Sequence, residues 1–206
     1  MSIQRPKVQL ALIVGASGEA GLSAIDALRE NSPNVHIIAT TRSEQSIPGA
    51  DETFHGISID QDLVSRIRTQ LGDRVEKIDL LIYTPAMGEP GFPISETNKE
   101  QYKQAAEFSF DPMLALEKDL EPALTVGYSA LYWLPHTLAF YGALGFVKKA
   151  MEEWCLAAPE KRALVRGGTF YSKSVRGISL LLQRLMKSTS NPELLKMKEE
   201  FASSGM

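Results

Sequence analysis

Three glycines near the start of the chain, Gly15, Gly18 and Gly21, have a spacing that suits phosphate binding. They form the pattern G-x-x-G-x-x-G in the stretch GASGEAG, between an apolar run and a stretch with helical periodicity. In such a loop one glycine allows a tight turn, another lets backbone N–H groups approach a pyrophosphate, and a third lets the helix pack closely on the strand. The N-terminus of the helix adds a partial positive charge. The loop, with Ser17 inside it, therefore predicts a dinucleotide site.

The second predicted strand indicates which dinucleotide is preferred. A protein selective for NAD usually places a carboxylate after this strand to bind the adenosine ribose. Here the strand ends in Thr40-Thr41-Arg42-Ser43, and no carboxylate is present. A guanidinium at Arg42 can pair with a 2′-phosphate. We therefore expect NADP(H) rather than NAD(H), although an ordinary surface arginine explains the same residue.

Short apolar runs alternate with longer helical stretches along the chain. The runs that favour strands are 8–14, 35–41, 53–59, 78–84, 125–130 and 162–170. Helices are predicted at 19–30, 61–71, 98–124 (with Pro112 as a kink or break), 141–158 and over most of the remainder. Such alternation gives a parallel sheet covered by helices on both faces. We expect a single Rossmann-type, doubly wound α/β domain over residues 1–206, with about six strands.

Tyr141 and Lys148 lie seven residues apart in the predicted helix YGALGFVKKAMEE. At about 3.6 residues per turn, position +7 lies about 20° from the direction of the tyrosine, so a continuous helix would bring both side chains to one face. Lys149 would point about 80° away, toward solvent.

These motifs together resemble the short-chain dehydrogenase/reductase family over nearly the whole chain. GASGEAG is similar to the glycine loop of its extended and atypical branches, and Asp60 in SIDQD corresponds to an aspartate near the adenine. YTPAMG stands where the family usually has Asn-Asn-Ala-Gly, and Ala86 alone is kept, beside the expected ribose. RGGTF resembles the loop that contacts the nicotinamide amide, which implies roles for Gly168 and Thr169.

The Tyr-x6-Lys spacing is similar to the divergent branch that contains bacterial enoyl-acyl-carrier-protein reductases. This resemblance implies that Lys148 holds the nicotinamide ribose and that Tyr141 donates a hydrogen bond or proton to the substrate oxygen. Ser129, at the end of the fifth strand, resembles the serine that orients the substrate. Tyr128 or Tyr132 are alternatives, because divergent enoyl reductases use an additional upstream tyrosine. The cofactor half would then cover about 1–125, and the catalytic helix with the substrate-pocket segment about 126–206.

Composition and charge argue against several other classes of protein. The chain has 22 basic and 25 acidic residues and no cluster of lysine and arginine, so we expect no nucleic-acid partner. Its single cysteine, Cys155, cannot form an internal disulfide, which indicates a reducing compartment and a cytoplasmic protein. The three histidines are scattered without ligand spacing, so no metal site is expected.

Two apolar segments also have other interpretations. The start of the chain is interpreted as a strand, not a signal peptide, because its apolar run is short and contains Gln9. Residues 122–147 carry no formal charge, but Pro135 and its polar neighbours lie at their centre. A strand, a loop and a helix explain this segment better than a membrane span.

The leading hypothesis is an NADP(H)-dependent reductase of a carbonyl, enone or enoyl small molecule. A binding protein that holds NADPH without turnover is an alternative, motivated by Glu19 in the glycine loop and by the altered Thr84-Pro85 stretch. An isomerase or lyase that uses Tyr141 without a nicotinamide is another. Apolar residues on the tyrosine helix are compatible with a homodimer, although burial in the core explains them equally.

Overall fold

The computed structural model describes residues 8–168, 177, 180, 183–184, 187–190 and 192–203. One sheet contains the strands β1 (Leu10–Val14), β2 (His36–Thr40), β3 (Glu52–Phe54), β4 (Leu80–Tyr83), β5 (Leu124–Ala130) and β6 (Arg162–Gly167). The helices are α1 (Glu19–Asn31), α2 (Leu63–Leu71), α3 (Lys99–Ser109), α4 (Asp111–Leu120), α5 (Pro135–Phe140), α6 (Ala143–Ala157) and α7 (Pro192–Ser203).

The sheet has the strand order β3-β2-β1-β4-β5-β6, and every pairing is parallel. The order reverses beside β1, which pairs with β2 on one side and β4 on the other, so that Leu12 lies between Ile38 and Leu81. In an open α/β sheet, ligands bind beyond the carboxyl ends of the strands at such a reversal. The predicted doubly wound Rossmann-type fold is therefore confirmed.

Helices cover both faces of the sheet, which explains why the central strands are continuously apolar. All five residues of β1 are buried, and they alternate between two cores. Leu10, Leu12 and Val14 belong to the core beneath α2, α3, α4 and α6, whereas Ala11 and Ile13 belong to the core beneath α1. A strand buried on both faces has no polar side to signal its orientation.

The predicted helix over 98–124 is two helices. α3 ends at Ser109 and α4 begins at Asp111, and Pro112 lies in the first turn of α4, where the missing N–H has no partner to lose. A capping box between Asn98 and Gln101 fixes the start of α3.

The predicted helix over 141–158 is wrong at its start. α6 begins at Ala143, and Tyr141 is instead the C-cap residue that follows α5. Gly142 lies between them with φ 53° and ψ −142°, a conformation that interrupts the helix and favours glycine. The inference that Tyr141 and Lys148 share one helical face therefore does not hold.

The third predicted strand, 53–59, is also shorter, since β3 covers only Glu52–Phe54. In the part of the chain that the structure describes, no helix combines the length and apolarity needed to cross a membrane.

Candidate functional site

The glycine loop follows β1 directly, and two of its glycines are required by packing. Gly15 has φ 78°, and a Cβ there would lie 2.7 Å from Pro85 Cγ. At Gly21 a Cβ would lie 2.5 Å from the Ala16 Cα. The end of β2 holds the loop, because the Gly15 N–H donates to Thr40 Oγ1 at 3.2 Å and the Ala16 N–H to the Thr40 carbonyl at 3.1 Å.

Gly18 differs from the other two glycines because no packing requires it. A Cβ there would have only the Gly15 carbonyl oxygen nearby, at 3.8 Å. Gly18 is the N-cap residue of α1, no side chain caps that helix, and Ser17, Gly18 and Glu19 are exposed. The first N–H groups of α1 are thus accessible to an anion. Glu19 is exposed in the first turn, as expected for a side chain that points to solvent.

Arg42 is exposed two residues beyond β2, and no hydrogen bond or ion pair holds its side chain within the described residues. Asp60 is exposed as well but is occupied locally. Its carboxylate accepts the Asp62 N–H at 2.9 Å and pairs with the Arg66 guanidinium, and both interactions, the first more strongly, lower the pKa of Asp60. Arg42 is therefore available to a ligand, whereas Asp60 helps to organise the start of α2.

The loop after β4 is tied to the glycine loop by a residue that the sequence did not single out for this role. Thr84 Oγ1 lies 2.9 Å from the Val14 carbonyl and 3.0 Å from the Gly15 carbonyl, to which its hydroxyl donates. Thr84 stands where the resembled family has asparagine, and its hydroxyl fixes the spacing between β1 and β4. Ala86, two residues later, is exposed at this edge of the sheet.

Lys148 lies inside the molecule beside the carboxyl end of β5. Its side chain is buried, and Nζ donates to the Tyr128 carbonyl at 2.6 Å and lies 3.7 Å from Met151 Sδ. Burial lowers the pKa of Lys148 to about 8. An ammonium carries three N–H donors, and only one has an oxygen acceptor among the described residues. Lys149 is exposed, which confirms the expected contrast between the two lysines.

Ser129 lies on the same side of the sheet as Lys148. Thr125, Gly127 and Ser129 form the buried face of β5, and a Cβ at Gly127 would lie 2.7 Å from Met151 Cε of α6. Ser129 Oγ is buried and has no hydrogen-bond partner in the described structure. A buried hydroxyl without a partner is uncommon and calls for an explanation such as a ligand.

Of the two tyrosine alternatives to Ser129, Tyr128 lies on the other face of the sheet and Tyr132 lies close to Glu152 of α6. Tyr128 points to the opposite face of β5 and packs against the core beneath α1. Tyr132 lies beyond the strand with its ring 5.2 Å from that of Trp133, in an edge-to-face arrangement. The structure thus brings Ser129, and not Tyr128, to the face that contains Lys148. The period of two along β5 was the sequence signal that separates them.

Tyr141 is partly buried, and this burial raises the pKa of its hydroxyl above the ordinary value. No protein group within the described residues hydrogen-bonds to that hydroxyl. Gly168 follows β6 and is exposed, and no atom of the described residues lies within 4 Å of a Cβ built on it. Thr169 lies outside the described residues.

Metal chemistry finds no site in the regions of the chain that the structure describes. No group of three or more histidine, cysteine, aspartate or glutamate side chains there is arranged to hold an ion.

No protein-family model matches the sequence, and no curated protein matches it. Solved structures do match the fold. The enzyme KRED1-Pglu superposes with a TM-score of 0.70 over 96% of this chain and 88% of its own, at 15% identity. YwfH, an NADPH-dependent reductase involved in bacilysin biosynthesis, superposes with a TM-score of 0.68 over 89% of this chain and 82% of its own, at 16% identity.

A short-chain dehydrogenase/reductase from Saccharomyces cerevisiae gives a TM-score of 0.63 over 93% of this chain and 81% of its own, at 20% identity. A short-chain dehydrogenase from Shigella flexneri, complexed with NADP, gives 0.63 over 82% and 81%, at 15% identity. The chain therefore has the fold of the short-chain dehydrogenases/reductases.

Proposed function

We propose that this protein is an NADP(H)-dependent oxidoreductase that transfers hydride to a carbonyl, enone or enoyl group of a small molecule. One observation carries the proposal. At the carboxyl edge of the sheet, Lys148 and Ser129 lie on one buried face, and each has hydrogen-bonding capacity that no described protein group uses. The glycine loop and the uncapped N-terminus of α1 lie along the same edge, after β1. The reductases among the fold neighbours support the same activity.

The residues fit a dinucleotide. Gly15, Ser17, Gly18 and Gly21 with the N-terminus of α1 would bind the pyrophosphate, because this loop leaves open space at Gly18. Arg42 would bind the 2′-phosphate of NADPH, and Lys148 the nicotinamide ribose. Asp60, Ala86, Gly168 and Thr169 would line the remaining cofactor surface. When bound, NADPH supplies the hydride.

Lys148 and Tyr141 would act together as the electrostatic part of the site. With its pKa lowered only to about 8, Lys148 stays mostly protonated near neutral pH. A buried cation stabilises negative charge that develops on a nearby oxygen more strongly than a solvated one does.

Burial raises the pKa of Tyr141, so its hydroxyl stays neutral and can donate a proton. Ser129 Oγ would donate a hydrogen bond to the substrate oxygen. Reduction should therefore slow as the pH rises through the pKa of Lys148.

The test is turnover by the purified protein and by Tyr141→Phe. We would measure NADPH oxidation with a panel of aldehydes, ketones, enones and enoyl thioesters. Loss of a general acid should lower kcat by about 10²–10⁴ and leave NADPH affinity unchanged. Equal kcat in wild type and Tyr141→Phe would remove the tyrosine from the mechanism.

A second candidate is an NADPH-binding regulatory protein without turnover. Two observations favour it: Tyr141 lies outside α6, and the carboxylate of Asp60 is already paired with Arg66. It predicts saturable NADPH binding with no NADPH consumption across the same panel. Turnover without any dinucleotide would instead favour an isomerase or lyase.

We also infer that one domain over 1–206 carries these functions and that two chains associate. A groove of about 380 Å³ lies between the start of α3 and α6. Its lining includes two exposed aromatic side chains, Tyr102 and Phe146, together with Lys99, Lys149 and Glu153. An exposed aromatic pair bordered by charges of both signs suits a second copy of the chain. The free cysteine Cys155 supports a reducing, cytoplasmic location.

A further inference from the structure

The position of Tyr141 is not explained by the helices on either side of it. Its N–H donates to the Thr137 carbonyl at 2.9 Å, which closes the last turn of α5. Gly142 then interrupts the helical conformation before α6 begins. Lys148 is held by α6 and β5, and Ser129 by β5. Because Gly142 separates Tyr141 from α6, a contact from another element can help to fix Tyr141 relative to these two residues.

That element is the segment after β4, residues 88–94, which we call the strap. The Gly91 N–H donates to the Phe140 carbonyl at 2.7 Å, and the Gly142 N–H donates to the Phe92 carbonyl at 3.0 Å. Phe92 and Tyr141 form an isolated parallel bridge. Backbone hydrogen bonds thus connect the strap to the residues immediately before and after Tyr141.

Glycines make this contact close enough that side chains would not fit. A Cβ at Gly142 would lie 2.5 Å from the Glu89 carbonyl oxygen and 2.9 Å from the Phe92 ring. At Gly145 a Cβ would lie 2.1 Å from Ile94 Cδ1. A Cβ at Gly88 of the strap would likewise lie 2.7 Å from Leu144 Cγ. The nearest atom is a backbone oxygen at Gly142, whereas at Gly145 and Gly88 it belongs to the side chain of Ile94 or Leu144. The strap therefore leaves the least room at Gly142, directly after Tyr141.

We propose that the strap positions the Tyr141 hydroxyl for proton donation, and that Phe92 and Gly142 are positioning residues for that step. The inference rests on the proposed function for the role of Tyr141, but not for the contact itself. A change at the Phe92–Gly142 contact would act first on Tyr141, because Lys148 and Ser129 are held by their own contacts in α6 and β5. The strap begins five residues after β4, so the loop beside the cofactor and the proton donor are mechanically linked.

The test compares Gly142→Ala with a matched control, Gly72→Ala. Gly72 is the C-cap residue after α2, with φ 56° and ψ −129°, close to the conformation of Gly142. Among the described residues, no atom lies within 4 Å of a Cβ there. Both variants carry the same backbone strain, and only Gly142→Ala disturbs the strap. A second pair, Phe92→Leu and Phe92→Tyr, removes or retains the ring and serves if Gly142→Ala fails to fold.

Two measurements are made on each variant. Absorbance titration of the tyrosines, compared with the same protein carrying Tyr141→Phe, isolates the pKa of Tyr141 without any cofactor. Steady-state kinetics with NADPH and the best compound of the panel then gives kcat and KM. A displaced Tyr141 should lower kcat about a hundredfold with KM for NADPH unchanged. It should also move the pKa of Tyr141 back toward its ordinary value, because the hydroxyl leaves its buried position.

We expect the lower kcat and the shifted Tyr141 pKa in Gly142→Ala, and neither change in Gly72→Ala. We expect kcat to fall in Phe92→Leu and to stay near the wild-type value in Phe92→Tyr. If Gly142→Ala matches Gly72→Ala in titration and kinetics, the strap does not position Tyr141. If Gly142→Ala does not fold, the same Tyr141 pKa and the same kcat in Phe92→Leu and wild type overturn the inference. If wild type turns over no compound, the proposed function fails, and the titration still decides whether the strap sets the position of Tyr141.

Discussion

At the scale of single residues, burial of the Lys148 ammonium has a measurable consequence for stability. Its pKa is about 8 in the folded protein, against an ordinary value of 10.5. Between these pH values the unfolded chain keeps the proton and the folded chain does not. The free energy of unfolding therefore rises with pH across this window, by up to about 3 kcal/mol.

Lys148→Met is the variant that isolates this contribution. It lacks the titrating group, so urea unfolding of wild type and variant at a series of pH values should converge as the pH rises from 8 to 10.5. Below this window, Lys148→Met should be the more stable protein, because it avoids burying a charge. Parallel pH profiles would show that the ammonium is not buried in solution.

Ser129 should matter for turnover and not for stability. Its Oγ has no partner among the described residues, so Ser129→Ala removes a buried hydroxyl that they leave unsatisfied and should change the free energy of unfolding by less than about 1 kcal/mol. If the hydroxyl orients the substrate, kcat/KM for the carbonyl should fall while NADPH affinity is kept.

Thr125→Val is the matched control for Ser129→Ala. Thr125 lies on the same face of β5, near the beginning of the strand. Its Oγ1 is also buried and has no hydrogen-bond partner in the described part of the chain. Unfolding measurements should show similar stability in the two variants. Kinetic measurements should show loss of activity in Ser129→Ala alone. Equal activity in both would assign Ser129 a purely structural role.

At the scale of elements, two glycines of the glycine loop are expected to have different roles: Gly21 in packing and Gly18 in binding. Gly21→Ala should destabilise the protein by about 1–3 kcal/mol, since its Cβ meets the backbone of Ala16. Gly18→Ala should leave stability nearly unchanged, since its position is open, but should weaken NADPH binding because the methyl group lies where the pyrophosphate would sit. Thermal unfolding with and without NADPH measures both effects. Unchanged NADPH affinity in Gly18→Ala would place the phosphates elsewhere.

The sequence predicts elements well where one signal dominates. The continuous apolarity of β1 and β4 and the glycines after β1 were sufficient for the fold and the first loop. The start of α6 was missed because Tyr141 and Leu144 continue the helical pattern, whereas Gly142 takes a positive φ to make room for the strap. That contact joins residues about 50 apart in the chain, and no local pattern encodes it.

At the scale of the whole molecule, association through the groove between α3 and α6 is open to a direct test. Phe146→Glu places a charge among the groove residues, so it should shift the protein toward monomers in sedimentation experiments across a range of concentrations. Leu156→Glu is the control, because Leu156 is an exposed apolar residue of the same helix outside the groove. A wild type that is monomeric at every concentration would rule out the dimer.

The claim that unites these residues and elements is that the carboxyl edge of the sheet binds NADPH. We propose that Arg42 would distinguish the two nicotinamide dinucleotides, because no group in the described part of the chain pairs with it and it could bind the 2′-phosphate that NADH lacks. Loss of such a charge-assisted hydrogen bond should weaken NADPH binding by about tenfold or more and leave NADH binding unchanged.

The most direct measurement is a fluorescence titration of wild type and Arg42→Ala with NADPH, with NADH alongside. We expect tight, saturable binding of NADPH, weaker binding of NADH, and loss of this preference in Arg42→Ala. If neither NADPH nor NADH binds at millimolar concentration, the carboxyl edge of the sheet is not a dinucleotide site, and Lys148 and Tyr141 are parts of the core.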